Sequence, residues 1–224
     1  MDLPLVFNLR LALAQHDERD LPYRWDDSYR ARLGVLRRDD PYGPVRWSDI
    51  EPCYVFHIAN AYDSGNSIVL EVVRYPEMWR SSGDFDVDAT LWRWTIELHA
   101  GDVRETLLDD RAVEFPRIDD RLVGAAARYS VAVGRGSLVR YDLERGTASE
   151  HRFGAARLPG VPGGGVRSIP RAVGRIGGLV LDLRFRPGSD LVIVDAGDFG
   201  GNPVARVQLS RRVPHGFHGN WISD

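Results

Sequence analysis

The sequence predicts an all-β protein, and three observations carry that expectation. Apolar runs of strand length recur along the chain, and Gly, Pro, Asp and Asn punctuate them as turns require. No stretch of useful length keeps a helical period. Strand–turn units return at roughly 40–50 residues, a spacing that suits propeller blades better than a single sandwich. No Trp-Asp or kelch signature accompanies it, so composition and period alone stop at "all-β".

Taken in order, the first run is Leu3–Leu13, and Ser28–Leu36 is the one segment that suggests a helical turn. Next comes Glu51-Pro-Cys-Tyr-Val-Phe-His-Ile-Ala-Asn-Ala-Tyr-Asp63. Its apolar residues Cys53 to Phe56 read as a buried strand with a histidine at its end. Asn60 and Asp63-Ser-Gly65 are turn formers leading into Ile68–Val73. Leu91–Leu98, Arg111–Phe115, Ala126–Val133 and Ser137–Asp142 follow, and Glu144-Arg-Gly-Thr147 closes Leu138–Leu143 onto Glu150–Phe153 as a hairpin. Residues 154–180 are rich in Gly and Pro and carry several arginines, and no acid lies between His151 and Leu181; they read as a solvated loop. Leu179–Phe185 and Leu191–Val194 form a further hairpin through Arg186-Pro-Gly-Ser-Asp190, before Val204–Leu209.

At 224 residues the chain is one ordinary domain or part of a larger repeated one. Apolar residues at 43% can fill a core, and a net charge of −3 argues against a nucleic-acid partner. Cys53 is alone in a buried run, which excludes an intrachain disulfide and points to a reducing, cytoplasmic compartment. Asp2 and Arg10 break any secretory pattern at the start, and no apolar run approaches the ~20 residues of a membrane helix.

Histidine placement is the chemically informative feature. His57, at the end of a buried run and before a turn, has two readings: a rigidly held metal ligand, or a satisfied, half-buried histidine. A second rigid stretch, Arg212-Val-Pro-His-Gly-Phe-His-Gly-Asn-Trp-Ile222, carries His215 and His218. His16, His99 and His151 sit in polar or strand-end settings that call for no special role.

Tyr54-Val-Phe-His57-x-x-Asn-Ala and Val213-Pro-His-Gly-Phe-His218-Gly-Asn-Trp221 resemble the third and fourth iron-ligand motifs of the carotenoid cleavage oxygenase family. Further blocks agree, in family order: Asp2-Leu-Pro-Leu-Val-Phe7, Leu21-Pro-Tyr-Arg-Trp25, Arg32-Leu-Gly34, Val113-Glu-Phe-Pro-Arg-Ile118, Val194-Asp-Ala-x-x-Phe199 and Asn202-Pro-Val-Ala-Arg206. The resemblance covers almost all of residues 1–224 and implies part of a seven-bladed β-propeller, about four C-terminal blades. It implies a non-haem Fe(II) held by histidines, with His57 and His218 as two of the ligands and His215 the nearby competitor for the second. Glu114, in Val-Glu-Phe-Pro-Arg, stands where the family places a carboxylate behind such a ligand; strand alternation pairs it with Ala112 and leaves open which way that face points. Phe56, Phe217 and Trp221 flank the two histidines and are the candidates to line an apolar tunnel.

The implied reaction is oxidative cleavage of a conjugated C=C bond in a carotenoid or apocarotenoid by O₂. Implied partners are an apolar conjugated substrate, a membrane surface from which it is drawn, and a second chain paired through exposed blade edges. Two departures stand out. The family's other two histidines belong upstream of the Asp2 block, so the chain is expected to lack its N-terminal blades and to be inactive alone. The stretch Gly164-Gly-Val-Arg-Ser-Ile-Pro-Arg171 lacks the glutamate that would support His218. A non-catalytic propeller fragment, serving as a structural or binding module, is the alternative function.

Overall fold

The computed structural model describes residues 1–14, 21–80, 87–153, 157–159, 177–184 and 189–211. They form strands almost throughout: β1 (Leu5–Phe7), β2 (Tyr23–Trp25), β3 (Ala31–Val35), β4 (Arg46–Ile50), β5 (Ile58–Ser64), β6 (Ser67–Arg74), β7 (Thr90–Glu97) and β8 (Val103–Asp109). β9 (Val113–Arg117), β10 (Tyr129–Gly134), β11 (Ser137–Asp142), β12 (Thr147–Arg152), β13 (Arg157–Pro159), β14 (Gly177–Arg184), β15 (Ser189–Asp195) and β16 (Ala205–Leu209) complete the set. The sheets are antiparallel, with three four-stranded meanders, β5 to β8, β9 to β12 and β13 to β16, and two pairs, β1-β2 and β3-β4. A four-stranded antiparallel meander is the unit from which propeller blades are built.

The chain divides into two compact units, Met1–Phe56 with Asp63–Asp110, and His57–Tyr62 with Arg111–Asp224. In the first, Ala31, Leu33, Ile50, Cys53, Leu70, Val72, Trp94 and Ile96 form the core, supplied by β3, β4, β6, β7 and the segment ahead of β5. Burial pushes the Cys53 thiol up to about 11, so it stays a protonated, inert core group. In the second, Val131, Leu138, Phe153, Val192, Val194 and Phe199 form the core. His151 is buried there: its ring packs on Phe153, and its Nδ1 lies 3.1 Å from the Phe199 carbonyl, which accepts its proton. The sequence setting of His151 shows neither its burial nor this hydrogen bond.

Four stretches read from the sequence differ in the structure, and β2, β4 and β8 have no counterpart among those runs. The run Leu3–Leu13 is split: β1 ends at Phe7 and a helix, α1 (Leu9–Ala14), follows. Asn8 causes the change. Its side-chain oxygen accepts from Leu11 N–H at 3.1 Å and its carbonyl from Ala12 N–H at 3.0 Å, starting a turn that Leu, Arg and Ala propagate readily. Ser28–Leu36 is not helical: Ser28 and Tyr29 lie in a turn closed by the Tyr29 N–H on the Asp26 carbonyl at 3.0 Å, and the strand β3 follows. Ala31 and Leu33 alternate inward on β3, and Gly34 admits β4 so closely that a Cβ there would lie 2.8 Å from Val45. Cys53 to Phe56 is not a regular strand. Pro52 has no N–H to give a ladder, only Cys53 is fully buried, and pairing shrinks to one bridge, Tyr54 with Tyr75. The strand is β5, which begins after His57 and turns into β6 at Gly65, whose φ is +60°. Finally, Arg157–Pro159, within the stretch read as a loop, pairs with β14.

Candidate metal centre

His57 immediately precedes β5, in the second unit, with about a quarter of its side chain exposed (24%). Its Nδ1 lies 2.8 Å from Oε2 of Glu114 on β9. An ionised carboxylate only accepts hydrogen bonds, so in the neutral ring the proton sits on Nδ1 and the lone pair on Nε2. The same Oε2 accepts the N–H of Phe115, which fixes the carboxylate from its own backbone. The Phe115 ring meets the imidazole with centroids 4.9 Å apart and planes inclined by 50°.

Two consecutive strand residues should not face one ring, because strand side chains alternate. The register explains how they do. Arg117 pairs with Val131 and Glu114 with Val133, so Phe115 and Pro116 stand opposite Ala132 alone. This is a β-bulge, a feature that re-aims side chains. Pro116 suits it because it has no N–H to leave unpaired. Phe115 takes up the geometry with φ of +52°, left-handed for a residue with a Cβ, at a cost of roughly 1–2 kcal/mol. The alternation that paired Glu114 with Ala112 therefore fails from Phe115 onward. The sequence carries only a faint mark of this, a proline inside an otherwise strand-like run.

Asn60, read from sequence as a turn former, is instead a buried clamp inside β5. Its Nδ2 donates to the Ala125 carbonyl at 2.7 Å, and its Oδ1 accepts the Gly124 N–H at 3.2 Å. The side chain so ties the strand that follows His57 to the loop between β9 and β10. Asn60→Ala is expected to cost about 1–3 kcal/mol, since truncation strips both backbone groups of their partner. A thermal-denaturation midpoint within error of the parent protein would show that water replaces the amide without loss.

Phe56 is half-buried in the first unit, edge-on to Tyr54, Tyr75 and Trp79 at centroid distances of 4.7, 5.5 and 5.8 Å. His99 is exposed in a turn. His218, the other sequence-derived ligand, lies outside the described residues, as do His215, Phe217, Trp221, His16 and the Gly164–Arg171 stretch. Among the described residues no group of three or more His, Cys, Asp and Glu side chains could hold a metal ion. What they do present at His57 fits one: an imidazole backed by a carboxylate 2.8 Å from its Nδ1, with Nε2 as the nitrogen left to face a metal.

Residues 1–223 match the family described as retinal pigment epithelial membrane protein. The chain is 37% identical over 227 residues to a carotenoid cleavage oxygenase of Mycobacterium tuberculosis, covering 92% of this chain and 45% of that protein. It is 29% identical over 215 residues to the apocarotenoid-15,15'-oxygenase of Synechocystis, covering 85% of this chain and 42% of the other. The crystal structure of a cobalt-substituted Synechocystis ACO superposes with a TM-score of 0.81 at 26% identity, over 91% of this chain and 46% of that one. The chain thus spans about half the length of the curated relatives it matches.

Proposed function

The chain belongs to the retinal pigment epithelial membrane protein family, and from that premise we propose that it contributes His57 to the iron centre of a carotenoid cleavage oxygenase. The observation that carries this is the Nδ1–carboxylate contact of 2.8 Å between His57 and Glu114. Metal-binding histidines characteristically give their second N–H to such a partner, which fixes the tautomer and raises the basicity of the ligating nitrogen. His218 is the second ligand by the pattern of its motif, and its selection over His215 is part of the proposal.

Bound Fe(II) with open positions would supply activation of O₂ for cleaving a conjugated C=C bond in an apolar carotenoid or apocarotenoid. The residues of this chain do the rest. Glu114 holds the His57 proton at Nδ1 and keeps the lone pair on Nε2. Phe115 packs its ring against the imidazole and restrains it. A molecule this apolar partitions into lipid, so the proposal includes uptake by contact with a membrane surface. No described helix is long and apolar enough to cross one. Activity in the cytoplasm, and pairing with a second chain through exposed strand edges, belong to the same proposal.

The test loads the polypeptide carrying these residues with Fe(II) under anaerobic conditions, desalts it and measures retained iron. An apocarotenoid and air are then added and aldehyde products separated by chromatography. Retained iron with O₂-dependent products is the expected result. Residues 1–224 alone are expected to hold iron weakly and to form no product. Absence of both iron and product from the complete polypeptide would leave a non-catalytic propeller module as the function.

A further inference from the structure

We propose that Phe115 is a positioning residue for His57, and that its left-handed backbone brings two consecutive side chains of one strand to bear on a single imidazole. The inference rests on the reading of His57 as a metal ligand and adds how that ligand is held. Four observations converge. The Phe115 φ of +52° lies in a region that residues with a Cβ rarely enter. The residue also precedes Pro116, and a residue before proline ordinarily stays extended, so local sequence does not select this conformation. The bulge in the β9–β10 register falls at the same place. And the outcome of the distortion is a double contact, Glu114 Oε2 at 2.8 Å from Nδ1 and the Phe115 ring at 4.9 Å from the imidazole.

The two contacts have different consequences for the ring. A single hydrogen bond to Nδ1 fixes the tautomer and one point of the imidazole, and leaves the ring free to tilt about that bond. The phenyl group against the imidazole removes the tilt. Nε2 is then aimed in one direction, as a metal ligand must be. The Phe115 N–H serves the same end from the backbone, because it holds the carboxylate oxygen that the imidazole contacts. Unfavourable backbone conformations persist where the surroundings over-determine them, and they gather at functional sites. Relaxing Phe115 to an extended conformation would restore alternation and turn either Glu114 or the phenyl ring away from His57.

The experiment uses Phe115→Leu, which keeps an apolar side chain, and Phe115→Gly, which adopts positive φ without penalty. Ring nitrogen chemical shifts of ¹⁵N-labelled His57 report the tautomer without any metal, and relaxation of its ring carbons reports how firmly the imidazole is held. Co(II) titration followed by ligand-field absorption reports affinity and coordination geometry. The parent protein and both variants are expected to keep one tautomer, protonated on Nδ1, because Glu114 and the backbone N–H at 115 remain. Both variants should lose ring order at His57, and Co(II) should bind roughly tenfold more weakly with an altered band shape. Parent-like ring order and Co(II) spectra in both variants overturn the inference. Parental ring order that both variants lose, in a protein that takes up no Co(II), upholds the positioning role and removes the metal reading instead. Should one variant fail to fold, the other decides. Failure of both assigns Phe115 to the fold alone and overturns the inference.

Discussion

On the proposed reading, His57→Ala is expected to leave the Fe(II)-loaded polypeptide without retained iron after desalting and without cleavage products. The loss of a ligand should exceed the roughly 10- to 100-fold penalty typical of losing a residue behind one. The fold should survive the change. His57 is partly exposed, and its truncation should cost about 1–3 kcal/mol, the scale of a part-buried carboxylate losing its hydrogen-bond partner. A lost centre in a protein that still folds cooperatively is therefore the signature of a ligand. Parental iron content in the folded variant would remove His57 from the centre and return it to the bland reading of a half-buried histidine satisfied by Glu114.

Strand content was legible because alternation and burial leave marks in composition. Ser137–Asp142 is the strand the sequence indicates, end to end, bounded by Gly136 and the Leu143–Gly146 turn. Boundaries fail where local contacts outweigh periodicity. Asn8 starts a helix inside an apolar run, and Cys53 to Phe56 pairs only through the Tyr54–Tyr75 bridge. Ser28–Leu36 suggests a helical turn because Ala, Arg and Leu are good helix formers, and the fit of Gly34 against Val45 and Trp47 shows why Ala31–Val35 within it is extended. β4 and β8 carry exposed charged residues, Arg46 and Asp49 in the first and Arg104 in the second, which dilute their apolar signal.

The candidate site was legible to a different degree. Residue identities at His57 and Glu114 came from resemblance, since neither spacing nor composition links positions so far apart in the chain. Their contact depends on a bulge, and a bulge changes which face a residue shows without changing its type. Asn60 was misjudged for a related reason. An asparagine beside Asp63-Ser-Gly65 looks like part of a turn, whereas its amide is satisfied by backbone groups of Gly124 and Ala125, distant in sequence. Such partners become visible only when the loop between β9 and β10 is folded back.

Glu114→Gln isolates the charge of the carboxylate from its shape. The amide has the same size and retains a side-chain oxygen, which can still accept from Nδ1 of His57 and from the Phe115 N–H. Stability should accordingly change by no more than about 1 kcal/mol, the scale of one hydrogen bond exchanged for a weaker one. What disappears is the negative charge that makes the imidazole a stronger donor through Nε2. Iron affinity, and cleavage activity with it, should fall roughly 10- to 100-fold, as losses of this type do elsewhere. Glu114→Ala should weaken iron by at least as much and also destabilise the bulge, because the Phe115 N–H then loses its partner. Iron content and turnover are measured beside the thermal midpoint for both variants. Unchanged iron and turnover in Glu114→Gln, with a lower midpoint in Glu114→Ala, would make Glu114 a strut of β9 with no part in the centre.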